Sequence, residues 1–186
     1  MSLKSKEFLH TTLFFVGLVV VLFLLRQFVF TPVMVKGHSM DPTLADGERV
    51  IALKNTKIKR FDIVTFPAPD EPKKNYIKRV IGLPGETVEM KDDVLYIDGK
   101  EVKEPYLDEF KGELTDGDPL TYDFTLEEVT GENKVPEGHY FVMGDNRRNS
   151  KDGRMIGFIS EDKILGDVKF VLWPLNRFGV LSTDGK

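Results

Sequence analysis

The chain has 186 residues, 41% of them hydrophobic, with 16 glycines, 10 prolines and no cysteine. Such a composition belongs to an ordered, turn-rich chain and excludes a disulfide framework, a thiolate metal site and a cysteine nucleophile. The net charge of −4 conceals an asymmetry: residues 92–133 carry −11 and the remainder +7, a balance suited to anionic lipid headgroups or to a solvated surface with one acidic excursion. Basic and aromatic residues form no joint patch, so nucleic acid is not an expected partner.

Thr11 to Leu25 holds no charge; Arg26 and Gln27 interrupt, and Phe28-Val29-Phe30 resumes the apolar run. About 20 residues are needed to cross bilayer hydrocarbon. A transmembrane anchor is therefore predicted over 11–30, with Arg26 at the interface, snorkelling to headgroups. Lys4 and Lys6 precede it. The positive-inside bias then places 1–10 in the cytoplasm and 31–186 beyond the outer face of the cell membrane. The exit is bulky where a cleavable leader would carry small residues.

Past Pro32, short alternating runs bounded by turn formers replace helical signals. Strands are predicted over 48–53, 61–66 and 75–81. A hairpin follows over 94–102, turning at Asp98-Gly99. Further strands cover 138–143 and 166–173. The stretch 103–133 shows little periodicity and reads as an excursion between strands, the charged core of the 92–133 segment. The predicted class is mainly β: a folded-over antiparallel assembly behind one N-terminal transmembrane helix.

Two side chains carry candidate chemistry. Lys78 shares a strand face with Tyr76 and Val80, while Ile77, Arg79 and Ile81 share the other. Apolar neighbours favour desolvation, which lowers a lysine pKa and leaves an amine able to accept a proton. A three-unit depression costs roughly 4 kcal/mol of native stability. From the strand alone, a solvated lysine is the favoured reading, since lysines are mostly exposed. Ser39 lies in Gly37-His38-Ser39-Met40-Asp41-Pro42-Thr43-Leu44, a composition that also suits an ordinary turn or helix start. His38, adjacent to Ser39, points to the opposite side of an extended chain. His139 with Asp145 is the one pair a conventional triad could recruit, and otherwise His139 opens a strand. Residues 144–154 alternate acids and arginines, which suits local ion pairs and not a metal site.

Taken together, the Ser39-Met40-Asp41-Pro42-Thr43-Leu44 run, the Lys78-Arg79-Val80-Ile81-Gly82-Leu83-Pro84-Gly85 run and the Gly144–Arg154 loop resemble the bacterial type I signal peptidases, or leader peptidases. The short stretch between the last two resembles Gram-positive members. The resemblance covers nearly the whole chain and implies signal-peptidase-like folded antiparallel sheets, no cofactor, and signal peptides of exported preproteins as substrates, with small side chains before the cut. It implies Ser39 as nucleophile and Lys78 as general base, Ser150 as a hydrogen-bond partner that orients Lys78, and ion pairs of Asp145 with Arg79 and of Asp152 with Arg154. The oxyanion region would be the backbone at Gly37 and Ser39. Matching pocket positions are Val33, Val35, Met40, Leu44, Tyr76 and Ile77. Gly37 stands where Gram-negative members often have serine, Arg148 where acids are common, and Gly153 where serine is common.

Overall fold

The computed structural model describes residues 3–71 and 73–181, with side chains from residue 6. The ends of the predicted cytoplasmic and outer segments, and the Lys4 side chain, lie outside the described residues. Helix α1 runs Leu3–Phe28. Its last turn closes with Val29 N–H donating to the Leu25 carbonyl at 2.8 Å. Lys54 then donates to the carbonyls of Arg26 and Gln27, and Asn55 to that of Phe28, satisfying the end that would otherwise expose bare acceptors.

The helix stops short of the predicted residue 30 because Phe30 already pairs with Leu53, in strand β1 (Phe30–Met34) against β2 (Arg49–Leu53). Pro32 favours extended backbone at the residue before it. Strands β3 (Ile63–Pro67) and β4 (Asn75–Gly82) follow, then β5 (Val88–Lys91), β6 (Val94–Ile97) and β7 (Lys100–Val102). The β6–β7 turn forms at Asp98 and Gly99, both with positive φ, as the Asp-Gly pair predicts.

The stretch 103–133 is more ordered than its sequence indicates. It holds helix α2 (Asp108–Glu113), strand β8 (Phe124–Thr125) and helix α3 (Leu126–Thr130), the last with a Thr125–Glu128 capping box. Burial of Leu107, Leu120 and Tyr106 explains that order. After it come β9 (His139–Met143), the short helix α4 (Gly153–Ile156), β10 (Ile159–Ser160), β11 (Gly166–Trp173) and β12 (Gly179–Val180).

Every strand pair is antiparallel. One sheet has the order β1-β2-β11-β3-β4-β9-β10, with β12 beside β11; the other is β7-β6-β5-β8. Ile81 and Phe141 from the first sheet pack on Val88, Met90, Leu95 and Phe124 from the second. A separate cluster joins Met40 and Leu44 to Val50, Ile63, Ile77 and Val168, seating the Ser39 loop on the first sheet. Strand pairing is non-local, as a folded-over assembly requires: β11 returns to sit between β2 and β3.

One buried ion pair ties the 103–121 stretch to the loop after β9. Arg147 donates to both carboxylate oxygens of Glu104, to Thr121 Oγ1 and to the Tyr106 hydroxyl, with Arg147 fully buried and Glu104 3% exposed. Removing one partner of a buried pair strands the other charge and costs about 3–5 kcal/mol. Arg147→Met should lower the unfolding free energy of the detergent-solubilised chain, from urea titration followed by circular dichroism, by that amount. Adding Glu104→Leu should restore much of it. A single variant as stable as the parent would show that the pair holds nothing together.

Candidate active site

Strand alternation on β4 sends Lys78 one way and Arg79 the other. Lys78 is 3% exposed, and its Nζ lies 2.6 Å from Ser39 Oγ. Ser39 itself stands in the turn between β1 and β2, partly accessible. Burial pushes the Lys78 ammonium down from 10.5 to about 8; Asp152 and Asp145 oppose that fall, and Arg154 adds to it. The Tyr76 ring lies 5.3 Å from Nζ, and its own phenol is pushed up to about 12, by burial first and then by Asp70.

Arg79 faces the loop after β9. It grips Asp145 with two bonds, Nε to Oδ1 at 2.9 Å and an Nη to Oδ2 at 2.6 Å, with both side chains wholly buried. It also donates to the Phe61 carbonyl and stacks on Tyr106 at 3.8 Å. Thr43, from the turn that carries Ser39, donates to the same Asp145 carboxylate. Asp152 pairs with Arg154 through both oxygens, and its Oδ2 accepts the Gly144 N–H at 2.9 Å. Burial works against ionising Asp152, but the Arg154 and Gly144 bonds outweigh it and hold the carboxyl below its ordinary value.

Both ion pairs implied by the resemblance are thus formed. The Ser150 contact is not: Ser150 Oγ is buried and makes no hydrogen bond to Lys78. It packs against Gly144 and lies near Asp152, close enough to favour that carboxylate. A Cβ at Gly144 would strike the Ser150 hydroxyl and the Ser39 carbonyl, so this position requires glycine. Gly153 is similarly confined, against the Val142 carbonyl and the Phe141 ring, which leaves no room for serine without a shift. Arg148 has turned outward to Asp116 and the carbonyls of Asp118 and Pro119.

The backbone at Gly37 does not serve as the sequence reading has it. Its N–H donates to Asp46 Oδ1 at 2.7 Å, so it is already engaged. No triad assembles either. His139 faces the Glu137 carbonyl, Asp145 is occupied by Arg79 and Thr43, and the exposed His38 pairs with Asp41.

A cavity of about 120 Å³ opens at Ser39 and Lys78, walled by Val35, Met40, Tyr76 and Ile77. Val33 lines an adjoining groove of about 550 Å³ that shares Lys36, Asn75 and Tyr76 with the cavity. Leu44 lines neither, because it is fully buried beneath the turn, in the cluster with Met40 and Ile77. Lys36, Asn75 and Lys151 complete the cavity wall; nothing local in their sequence marks them. Lys151 reaches across to Asp70, joining the loop after β9 to the β3–β4 turn.

Residues 6–173 match the family described as "Signal peptidase, peptidase S26". The chain is 50% identical over 158 residues to Signal peptidase I of Bacillus caldolyticus, covering 83% of this chain and 85% of that one. It is 48% identical to Signal peptidase I T of Bacillus subtilis, over 94% and 90% of the two chains. It is 41% identical to Signal peptidase IB of Staphylococcus aureus, over 94% of each. The crystal structure of a signal peptidase I from Enterococcus faecalis superposes with a TM-score of 0.57 at 47% identity, covering 60% of this chain and 97% of that one. A serine and a buried lysine in contact, on antiparallel sheets behind an apolar helix, accordingly sit in a chain that belongs to the signal peptidase I family, serine hydrolases that remove signal peptides.

Proposed function

We propose that the chain cleaves signal peptides from exported preproteins by acyl transfer, with Ser39 as nucleophile and Lys78 as general base. The observation that carries this reading is the 2.6 Å approach of a nearly inaccessible amine to a serine hydroxyl. With its pKa near 8, a useful fraction of Lys78 is neutral at physiological pH. The amine takes the Ser39 proton as Oγ attacks the scissile carbonyl. The resulting ammonium returns that proton to the departing amine, the peptide C–N bond breaks, and water then hydrolyses the ester through the same base. The Ser39 N–H is the backbone donor for the oxyanion.

Substrate choice follows from space. A cavity of about 120 Å³ with buried Val35, Met40 and Ile77 in its wall admits small side chains and rejects bulky ones. The adjoining groove runs along β1, which is an edge strand with one side unpaired. An extended peptide laid there can borrow its free backbone groups.

Helix α1 supplies the membrane attachment in this reading. Its apolar part, Lys6–Phe28, is exposed all round within the protein. At 1.5 Å per residue it spans about 34 Å, enough for hydrocarbon about 30 Å thick. Lys6 at its start favours a cytoplasmic N-terminus and a catalytic domain on the outer face. A preprotein held in the same bilayer would meet Ser39 at a fixed depth, which raises its local concentration.

Ser39→Ala and Lys78→Ala should each reduce preprotein processing by at least about a thousandfold with the fold retained. Processing within about tenfold of wild type in both variants would sink the dyad. The pH profile of kcat/KM should rise along a limb with an apparent pKa near 8. The limb for kcat should lie lower still, because a bound peptide removes more water from the amine. A limb above 10 would mean Lys78 is not the base.

Stability carries the same signature. The folded pKa lies below the unfolded one, so the unfolded chain binds more protons between about 8 and 10.5. The penalty is complete below the folded value and fades as pH rises through that window. Wild-type stability should gain on the order of 3 kcal/mol there relative to Lys78→Met. Parallel pH curves from urea titration of the two chains would contradict it.

A further inference from the structure

Asn146 makes two contacts that neither the dyad nor its ion pairs explain. Its backbone N–H donates to the Ser39 carbonyl at 3.1 Å. Its side-chain Nδ2 donates to the His38 carbonyl at 3.0 Å, across 108 residues of chain. The second contact bears on chemistry through the geometry of the peptide unit. The His38 carbonyl and the Ser39 N–H belong to one planar trans amide, so they point in opposite directions. Whatever fixes that carbonyl fixes the aim of that N–H.

The need for such a restraint is local. Gly37 precedes this amide at φ +82°, in backbone that glycine occupies freely. The His38 side chain is 64% exposed and packs on no core. Apart from Asn146, the His38 carbonyl receives only the longer Asp41 N–H, at 3.3 Å, among the described residues. With the Gly37 N–H engaged by Asp46, the Ser39 N–H is left to receive the oxyanion, and it donates to no protein group among the described residues. Asn146 is itself well placed to hold the amide. It lies between buried Asp145 and Arg147, and its carbonyl accepts the Asn149 N–H at 2.9 Å. Turned the other way, its Oδ1 would face a carbonyl oxygen, so the amine end must point at His38. A donor on the carbonyl also polarises the amide and strengthens its N–H.

We infer that Asn146 is a positioning residue for the oxyanion donor: its side-chain amide locks the His38–Ser39 peptide group so that the Ser39 N–H faces the oxygen of the tetrahedral intermediate. The inference rests on Ser39 being the nucleophile. It assigns the role to a side chain that touches neither the substrate nor Lys78 by hydrogen bond. An N–H of this kind gains most as negative charge develops on the oxygen, so its misalignment reduces kcat and leaves ground-state binding alone.

The test uses the full-length detergent-solubilised chain and a purified preprotein. Asn146→Leu keeps the volume without the donor, and Asn146→Ala removes both. The backbone bond to Ser39 survives in each. Expected is a fall in kcat per folded molecule of about ten- to a hundredfold, KM within about twofold, and the pH limb near 8 in place. Wild-type kcat in both variants overturns the inference, as does a loss confined to KM or to the thermal midpoint. Ser39→Ala is run beside them. If it is inert while Asn146→Leu is fully active, only the Asn146 role fails; if Ser39→Ala still processes the preprotein, the nucleophile reading fails and takes this role with it.

Discussion

An amine kept dry and within 2.6 Å of a serine hydroxyl imposes two demands that work against each other. The amine must be stripped of water to lose its proton, yet the loop that encloses it is tied down by carboxylates, whose field restores that proton. Asp152 and Asp145 both raise the Lys78 pKa. The structure moderates this by giving each carboxylate its own arginine: Arg154 chelates Asp152 and Arg79 chelates Asp145. The β4 period completes the arrangement. Because neighbouring side chains on a strand point apart, one residue step separates Lys78 from Arg79, the cation that anchors its enclosing loop. Burial therefore remains the larger effect, and the pKa settles near 8.

The parts of the fold legible in the sequence are those set by local pattern. The uncharged run 11–25, the alternation of 75–81 and the Asp98-Gly99 turn each dictate an element with little help from elsewhere. The strand at Phe30–Met34 is not of this kind. Phe28-Val29-Phe30 continues the apolar run of the anchor, and pairing with residues 49–53, helped by Pro32, turns the chain extended from Phe30. Val88–Lys91 is likewise too short to show a period, and its register comes from β6 and β8.

The site divides along the same line. Ser39 and Lys78 emerge from two runs read jointly; on its strand alone, Lys78 is indistinguishable from a solvated lysine. The walls are less accessible to such reading. Leu44, apolar and next to the turn, has the type of a pocket residue, but the turn carries it under Ser39 into the core. Lys151 and Asn75 have the type of surface residues and line the cavity because loops bring them there. Ser150 is the residue for which sequence position and geometry diverge most, its hydroxyl lying against Gly144 and not on Lys78.

The acidic stretch is the part whose role depends wholly on distant partners. Its carboxylates look like a solvated excursion, yet two consecutive arginines of the loop after β9 reach into it. Arg148 binds Asp116 at the surface, where such pairs contribute little. Arg147 binds Glu104 in the interior, and there the surrounding groups are nearly all matched. Burial pushes the Tyr106 phenol well up, so it stays protonated. It donates to Glu104 at 2.6 Å while accepting from Arg147. Arg147 Nε closes the circuit on the Gly144 carbonyl at 3.0 Å, and the Tyr106 ring lies beneath Arg79. The loop is thus held from β4 on one side and from the acidic stretch on the other. A contact as short as that between Lys78 and Ser39 tolerates little drift, and support from two independent directions is what limits drift in a loop.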